Sequence, residues 1–209
     1  MTRRIFVAGS TGATGRTLFA RHTGPHLIPH VRPATAAKNG TSERALVADL
    51  TDHDALHAAL ATCTTIVQLI GTMRKRFASG DTYATSDIGT TQQLVDAARG
   101  TAVDHVVLLS SVGAGRPMGA YLEAKAEAER IVRDSGIEHT IFRPSAFRGE
   151  GHRPPPGMGT LTRALGLAKY QPIPIEELAD AIHHVAVARG PMGVLEGDAL
   201  WRVVRSATA

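Results

Sequence analysis

The sequence predicts an α/β fold, with a doubly wound, mostly parallel sheet in a three-layer α/β/α arrangement and a small C-terminal region. Three observations predict it. Short apolar runs alternate with helical patterns as far as Pro144. The first run, "IFVAG", ends in a glycine-rich turn that opens a helix. No repeat or linker separates two cores, so residues 1–209 are expected to form a single domain.

Each element has its own local signal. The apolar runs predict strands over residues 5–9, 26–31, 45–49, 65–71, 105–111 and 139–144. Helical spacing of apolar residues predicts helices over residues 13–21, 52–60, 82–99 and 119–135. Gly, Pro and Arg make 145–159 a long loop. Pro174 starts one more helix, and Gly190 with Pro191 stops it. The final apolar run, 193–204, predicts one or two short strands.

Composition narrows the class of protein. The chain has 209 residues, of which 43% are hydrophobic and 20% charged, as in a globular protein with a real core. No apolar run approaches the roughly 18 residues that cross a bilayer. The start, "MTRRIFVAGS", lacks the features of a secretory signal, so a cytoplasmic location is expected. The single cysteine, Cys63, excludes an internal disulfide and is expected to be buried.

The net charge of +4 favours an anionic ligand. With one Trp, three Tyr and five Phe, and no basic stretch interleaved with them, a nucleic-acid partner is not expected. His53 and His57 have helical i, i+4 spacing, but no third ligand follows in a motif, so no metal site is expected. We expect no membrane partner, and a monomer or a homodimer.

The glycine turn predicts a dinucleotide site. Gly9 allows a tight turn, Gly12 lets a pyrophosphate approach the backbone, and Gly15 lets the helix pack on the strand. Free N–H groups and the dipole at the helix start favour phosphate, and neighbouring hydroxyl groups add donors. The predicted phosphate-binding residues are Gly9, Ser10, Thr11, Gly12, Ala13, Thr14 and Gly15.

The end of the second strand, "HVRP", predicts which dinucleotide is preferred. An acid here holds the ribose 2′-hydroxyl of NAD, whereas Arg32 suits the 2′-phosphate of NADP. Lys38 could assist. We therefore expect NADP(H) to be preferred over NAD(H). Asp49, with its neighbour Leu50, follows the third strand and could accept from the adenine amino group; the alternative for Asp49 is a helix cap.

Together these segments resemble the atypical branch of the short-chain dehydrogenase/reductase superfamily, and within it the biliverdin/flavin reductase group and NmrA-like proteins. The matching segments include "GSTGATG", "HVRP", "VADLTD", "QLIGT", "HVVLLSSVGAG", "YLEAKAEAE" and "SGIEHTIFRPS". The resemblance implies three further pairs of residues near the cofactor, each at or just after the end of a predicted strand. They are Gly71 and Thr72, Ser110 and Ser111, and Pro144 and Ser145.

Tyr121 and Lys125 are four residues apart, so a helix places them on one face. In the wider superfamily such a pair works with a serine. The phenol protonates a carbonyl oxygen that receives hydride, the ammonium holds the nicotinamide ribose, and the hydroxyl stabilises the oxyanion. Tyr121, Lys125 and Ser111 are the matching catalytic candidates. In the flavin reductase group the tyrosine is often absent and hydride passes directly to a bound acceptor.

The resulting prediction is an NADPH-dependent reductase of a small acceptor: a flavin, quinone, tetrapyrrole or carbonyl compound. Loops 71–83 and 145–159 are expected to border the acceptor pocket. Their basic residues suit an anionic acceptor, or are simply solvated: Arg74, Lys75, Arg76, Arg148 and Arg153. The alternative is a non-catalytic NADP(H)-sensing regulator that binds a protein partner. A nucleotide-sugar epimerase is expected least, because only 65 residues follow Pro144.

Overall fold

The computed structural model describes residues 3–71, 82–149 and 157–208. Its main sheet has seven strands, all parallel, in the order β3-β2-β1-β4-β5-β6-β9. These strands are β1 (Ile5–Ala8), β2 (Leu27–Val31), β3 (Leu46–Val47), β4 (Thr65–Gln68), β5 (His105–Leu109), β6 (Glu138–Phe142) and β9 (Gly193–Leu195). A separate parallel pair joins β7 (Phe147–Arg148) to β8 (Ile173–Pro174).

Eight α-helices lie in the described ranges. They are α1 (Ala13–Arg21), α2 (Pro33–Asn39), α3 (His53–Leu60), α4 (Thr90–Ala98), α5 (Ala120–Asp134), α6 (Met158–Ala164), α7 (Ile175–Ala188) and α8 (Asp198–Thr208). A π-helical turn, Ala84–Gly89, leads into α4, and a 3₁₀ turn covers Ala168–Tyr170. Among the described residues, no helix is long and apolar enough to cross a bilayer.

The two faces of the sheet carry separate cores, as strand β1 shows. Ile5 and Val7 face one core, whose helical members come from α1, α7 and α8. Phe6 and Ala8 face the other, with α3, α4 and α5. All four side chains are fully buried because a central parallel strand is covered on both faces. The predicted three-layer α/β/α fold is therefore confirmed.

The strand order reverses between β1 and β4. The chain winds from β1 outward through β2 to β3, then returns to β4 on the other side of β1 and continues to β9. Adjacent crossovers leave in opposite directions at this point, so a crevice opens beyond the carboxyl ends of β1 and β4.

The C-terminal prediction was half wrong. Residues 193–195 form the edge strand β9, but the remainder of the predicted strands is helix α8. Gly197, with a positive φ of 54°, turns the chain after the strand. Leu200, Val203 and Val204 are buried at helical spacing. In the sequence they follow the apolar residues of β9 so closely that the two elements were interpreted as one run of strand.

Two further elements differ from prediction. The loop expected over 145–159 contains β7 and the start of α6. Helix α2 was not predicted; Pro33 occupies its first turn, but none of its residues is buried, so no apolar periodicity announces it. Cys63 is buried as expected, and its Sγ donates to the carbonyl of Ala59.

Candidate functional site

The turn between β1 and α1 is built from main-chain atoms in close contact. Gly9 has φ +87°, and a Cβ on it would lie 2.9 Å from the backbone of Leu69, just after β4. A Cβ on Gly15 would lie 2.3 Å from the carbonyl oxygen of Gly9. Neither distance is possible for a side chain that must avoid backbone atoms, so both glycines are required by packing.

The start of α1 presents free amides at the crevice. Gly12 is its N-cap residue, and within the described ranges no side chain caps it. The amide of Gly12 itself donates to Gly9, 3.0 Å away. The amides of Ala13, Thr14 and Gly15 lie in the first turn and have no partner within the helix. An uncapped helix start with a glycine at the cap suits a phosphate group by charge and by shape.

The hydroxyl groups of the turn have different surroundings. The Ser10 side chain is buried and its Oγ donates to the carbonyl of His30, at 2.5 Å. His30 in turn contacts the carbonyl of Ala48, at 2.9 Å. Ser10 therefore ties the turn to β2 and β3 rather than pointing freely at the crevice. Thr14 is buried, and Thr11 is exposed.

The residues predicted to select the nucleotide lie at adjacent strand ends. Arg32 follows β2 and is exposed, immediately before α2. Asp49 and Leu50 follow β3; Asp49 is exposed and Leu50 is buried. The alternative role for Asp49 does not hold, because the cap of α3 is Asp52, whose carboxylate accepts from the amide of Ala55.

Lys125 lies on the crevice side of α5, where it is 93% buried. Its Nζ donates to the carbonyl of Leu109, at 3.2 Å, and pairs with Oδ1 of Asp87, at 2.8 Å. A Cβ on Gly71 would lie 2.8 Å from the same Nζ. The ammonium is thus enclosed by the ends of β4 and β5 and by the π-helical turn.

The other two catalytic candidates border the same opening. Tyr121 begins α5 one turn before Lys125 and is 37% exposed; its ring lies 5.7 Å from that of Tyr83. Ser111 follows β5, and its only recorded hydroxyl contact among the described residues is a long one, 3.4 Å, to the carbonyl of Val112. Lys125 and Ser111 therefore lie at the carboxyl end of β5, and Tyr121 lies one turn before Lys125 on α5.

Ser110 has a different role from its neighbour. Its Oγ donates to the buried carboxylate of Glu129 at 2.6 Å, away from the opening. Arg143 donates to both oxygens of Glu129, and Arg133 adds a third contact. Burial opposes ionisation of Glu129, but hydrogen bonds from Arg143 and Ser110 hold its pKa below the usual value. The group fixes α5 to the ends of β5 and β6.

Pro144 and Ser145 follow β6. The carbonyl of Pro144 accepts from the amide of Val112, which holds the two loops together. The Oγ of Ser145 donates to the carbonyl of Tyr170. The segment that follows β6 is thereby joined to the residues that follow β5.

Several predicted residues lie outside the described ranges. They are Thr72, most of the loop 71–83, and residues 150–156 of the loop 145–159, with the basic residues Arg74, Lys75, Arg76 and Arg153. Of the basic set, Arg148 is described; it is exposed, at the end of β7.

Sequence reasoning missed Asp87 and Glu129, the two buried acids behind the site. Asp87 carries no motif, and only the three-dimensional arrangement brings it to Lys125. For Glu129 a signal existed: it is four residues from Lys125, on the same face of α5. Among the described residues, no group of three or more His, Cys, Asp or Glu could hold a metal ion.

Two plant proteins are similar in sequence. An uncharacterized chloroplastic protein of Arabidopsis thaliana is 29% identical over 75% of this chain and 62% of its own length. The divinyl chlorophyllide a 8-vinyl-reductase of Oryza sativa subsp. indica, also chloroplastic, is 28% identical over 68% of this chain and 40% of its own. The chain thus matches less than two thirds of either relative. Because both are chloroplastic, a cytoplasmic location remains a prediction.

Similarity in structure extends further than similarity in sequence. The NADPH-dependent quinone oxidoreductase QOR2 of Escherichia coli, solved with NADPH, superposes with a TM-score of 0.64. The match covers 93% of this chain and 69% of QOR2 at 20% identity, which establishes a shared fold. The family model described as NAD(P)H-binding matches residues 9–188, from the glycine turn to the end of α7. The chain therefore belongs to the NAD(P)H-binding family.

Proposed function

We propose that the protein is an NADPH-dependent reductase that transfers hydride to a small acceptor. The observation that carries this is the uncapped start of α1, with amides 13–15 facing the crevice where the strand order reverses. Lys125 lies at the same edge of the sheet, and Tyr121 and Ser111 lie close to it in the chain. An ammonium, a phenol and a hydroxyl are the groups that assist hydride transfer to a carbonyl carbon.

The residues fit the nucleotide they would hold. Gly12 is exposed, and among the described residues a Cβ on it would meet only the Gly9 carbonyl oxygen, at 3.3 Å, so its outer side leaves room for a diphosphate. The first-turn amides would bind the diphosphate, and the Lys125 ammonium would bind the ribose hydroxyls on the nicotinamide side. The bound dinucleotide would supply the hydride.

The side chains of this chain have separable tasks in that reaction. Lys125 orients the ribose and contributes positive charge near the acceptor. Tyr121, partly exposed at the opening, donates a proton to the oxygen of a carbonyl acceptor, and the Ser111 hydroxyl stabilises charge on that oxygen. An acceptor that is reduced by hydride alone would need only the first of these tasks.

The acceptor belongs to the classes that the relatives suggest. The rice relative is named for reduction of a vinyl group on a chlorophyllide, a tetrapyrrole, and QOR2 is named for a quinone. Both are planar and largely apolar. The exposed side chains of Met118, Tyr121 and Tyr170 near the β5 and β6 loops provide apolar contacts of the kind such acceptors use.

A screen of NADPH oxidation tests the proposal. Purified protein is mixed with NADPH and, in turn, flavins, quinones, chlorophyllides and aldehydes, and absorbance of NADPH is followed. We expect turnover with at least one class. Tight NADPH binding with no oxidation by any of them would favour the NADP(H)-sensing regulator, and no binding at all would refute both.

The preference for NADPH rests on Arg32. Arg32→Ala should weaken NADPH binding by roughly 10- to 100-fold, the value of one charged hydrogen bond, and leave NADH unchanged. The control is Arg44→Ala, which removes an exposed cation at the opposite end of the sheet, where Arg44 bonds to Gly24. Equal losses for both nucleotides in Arg32→Ala would refute the assignment.

A further inference from the structure

The ion pair between Lys125 and Asp87 is unusual for its burial. The Lys125 side chain is 7% exposed and that of Asp87 is 1% exposed, with Nζ and Oδ1 2.8 Å apart. Removing two opposite charges from water costs several kcal/mol per ion, and a partner lost from such a pair leaves the other charge uncompensated. A buried pair of this kind needs a reason other than stability.

The backbone around Asp87 is distorted in a way that serves the pair. Asp87 lies within the π-helical turn Ala84–Gly89, immediately before α4. A π-helical turn widens the helix by one residue and is found mostly at functional sites. The main-chain carbonyl of Asp87 is also held, because it accepts from Thr91 Oγ1 at 2.7 Å. This bond holds the backbone from which the carboxylate reaches Lys125.

Within the described part of the chain, the ammonium has donor capacity left for a ligand. It donates one hydrogen bond, to the Leu109 carbonyl, and pairs with Asp87 Oδ1 at 2.8 Å, whereas an ammonium carries three N–H groups. On its third side lies Gly71, which is exposed and has no side chain to cover Nζ. This open side faces the end of β4, next to the crevice.

We propose that Asp87 is a positioning residue: it keeps Lys125 charged and directs one N–H of the ammonium into the crevice. This inference rests on the proposed function for the ligand that the ammonium meets, the ribose of NADPH. The other acid on this side of α5, Glu129, is bound by Arg143 and Arg133 and does not compete for Lys125. Tyr121 and Tyr83, whose rings lie 5.7 Å apart, are further titratable groups among the described residues here.

The charge on Lys125 can be measured without any cofactor. The chain has four lysines, Lys38, Lys75, Lys125 and Lys169. Protein labelled with ¹³C-lysine therefore gives four Cε signals, and Lys125→Met assigns the one of interest. In Asp87→Asn a buried ammonium has lost its counterion, so its Cε signal should titrate at lower pH than in the parent, by one unit or more. Asp87→Glu, which retains the charge, should restore most of the difference.

NADPH affinity then connects the charge to binding. Asp87→Asn should bind NADPH more weakly than the parent, because the ammonium is no longer held towards the crevice, and Asp87→Glu should recover most of that affinity. The double variant Asp87→Asn/Lys125→Met should bind NADPH no more weakly than Lys125→Met alone, because the two changes remove the same contact. The control, Asp96→Asn, makes the same change in an acid of α4 that pairs with Arg99 at the surface, at 3.3 Å, and should change neither the Lys125 titration nor NADPH affinity.

The outcomes separate the two proposals. An unchanged Lys125 titration in folded Asp87→Asn, or NADPH affinities that fall independently in the two single variants, would overturn the role of Asp87 and leave the reductase proposal intact. A shifted titration in a protein that binds no NADPH would keep Asp87 as the counterion but overturn both the ribose contact and the reductase.

Discussion

Gly15 provides the sharpest test of how the turn is built. A Cβ at this position would lie 2.3 Å from the Gly9 carbonyl oxygen and 2.7 Å from the backbone of Ser10. Ordinary contact begins at 3.4 Å, so Gly15→Ala must move the start of α1 away from the turn by about 1 Å. Backbone atoms on both sides prevent a local side-chain adjustment from absorbing the shift.

The magnitude follows from two opposing effects. Overpacking costs about 1–3 kcal/mol, and replacing a helical glycine by alanine returns up to about 1 kcal/mol. The net loss of about 1–2 kcal/mol should lower Tm by roughly 2–8 °C in a chain of this size. The displaced amides should also weaken NADPH binding by roughly 10- to 100-fold, equivalent to one hydrogen bond to a charged group.

The assay is thermal unfolding followed by circular dichroism, with NADPH titration by fluorescence. Gly159→Ala is the matched control, because Gly159 is also helical and no atom of the described residues lies within 4 Å of its added Cβ. That variant should be as stable as the parent or slightly more so. If Gly15→Ala behaves like Gly159→Ala in both measurements, the close packing of α1 on the turn is refuted.

Three further outcomes are expected. Glu129→Ala should lower the free energy of unfolding by about 3–5 kcal/mol, because it leaves the buried guanidinium of Arg143 without its counterion. The control, Glu127→Ala, breaks an exposed pair with Arg130 and should lower the free energy of unfolding by about 1 kcal/mol or less. Equal losses for the two variants in chemical denaturation would contradict the buried network. Burial, together with the nearby His22 and His26, lowers the pKa of His183 to about 4, and burial lowers the pKa of His105 to about 4. Because the unfolded chain binds these protons more readily than the folded protein, the free energy of unfolding should fall as pH drops from about 6.5 towards 4. His183→Gln should reduce that slope without abolishing it, and a Tm that is flat over this range would argue against both shifts. Tyr121→Phe should lower carbonyl turnover by about 10²- to 10⁴-fold at unchanged NADPH affinity, and undiminished turnover would assign direct hydride transfer instead.

The sequence was informative where main-chain geometry decides the structure. Glycines at the turn, short apolar runs and apolar residues at helical spacing are local signals, and they predicted the sheet and most of its flanking helices. Helix α8 was misread because its apolar residues follow so closely on β9 that a short window cannot separate the two periods. Helix α2, which buries none of its residues, has no such period to detect.

The surroundings of the site depend on contacts between distant segments. Asp87 lies 38 residues before Lys125, and nothing near it in sequence indicates a buried ion pair. Ser110 and Ser111 are adjacent and chemically identical, but alternation along β5 turns the first towards Glu129 and leaves the second near the opening. Which of two neighbouring hydroxyls meets a ligand is settled by packing on α5 rather than by residue type.

Helix α1 is held at its far end as well as at the turn. Arg21 forms two hydrogen bonds with Asp180 of α7, at 2.7 and 2.6 Å, and His22 contacts the same carboxylate at 2.9 Å. A helix anchored at both ends is preorganised, so a phosphate meets donors that have already lost their conformational freedom. Binding of a nucleotide should therefore cost little conformational entropy in α1, and calorimetry should show a correspondingly small entropic penalty of binding.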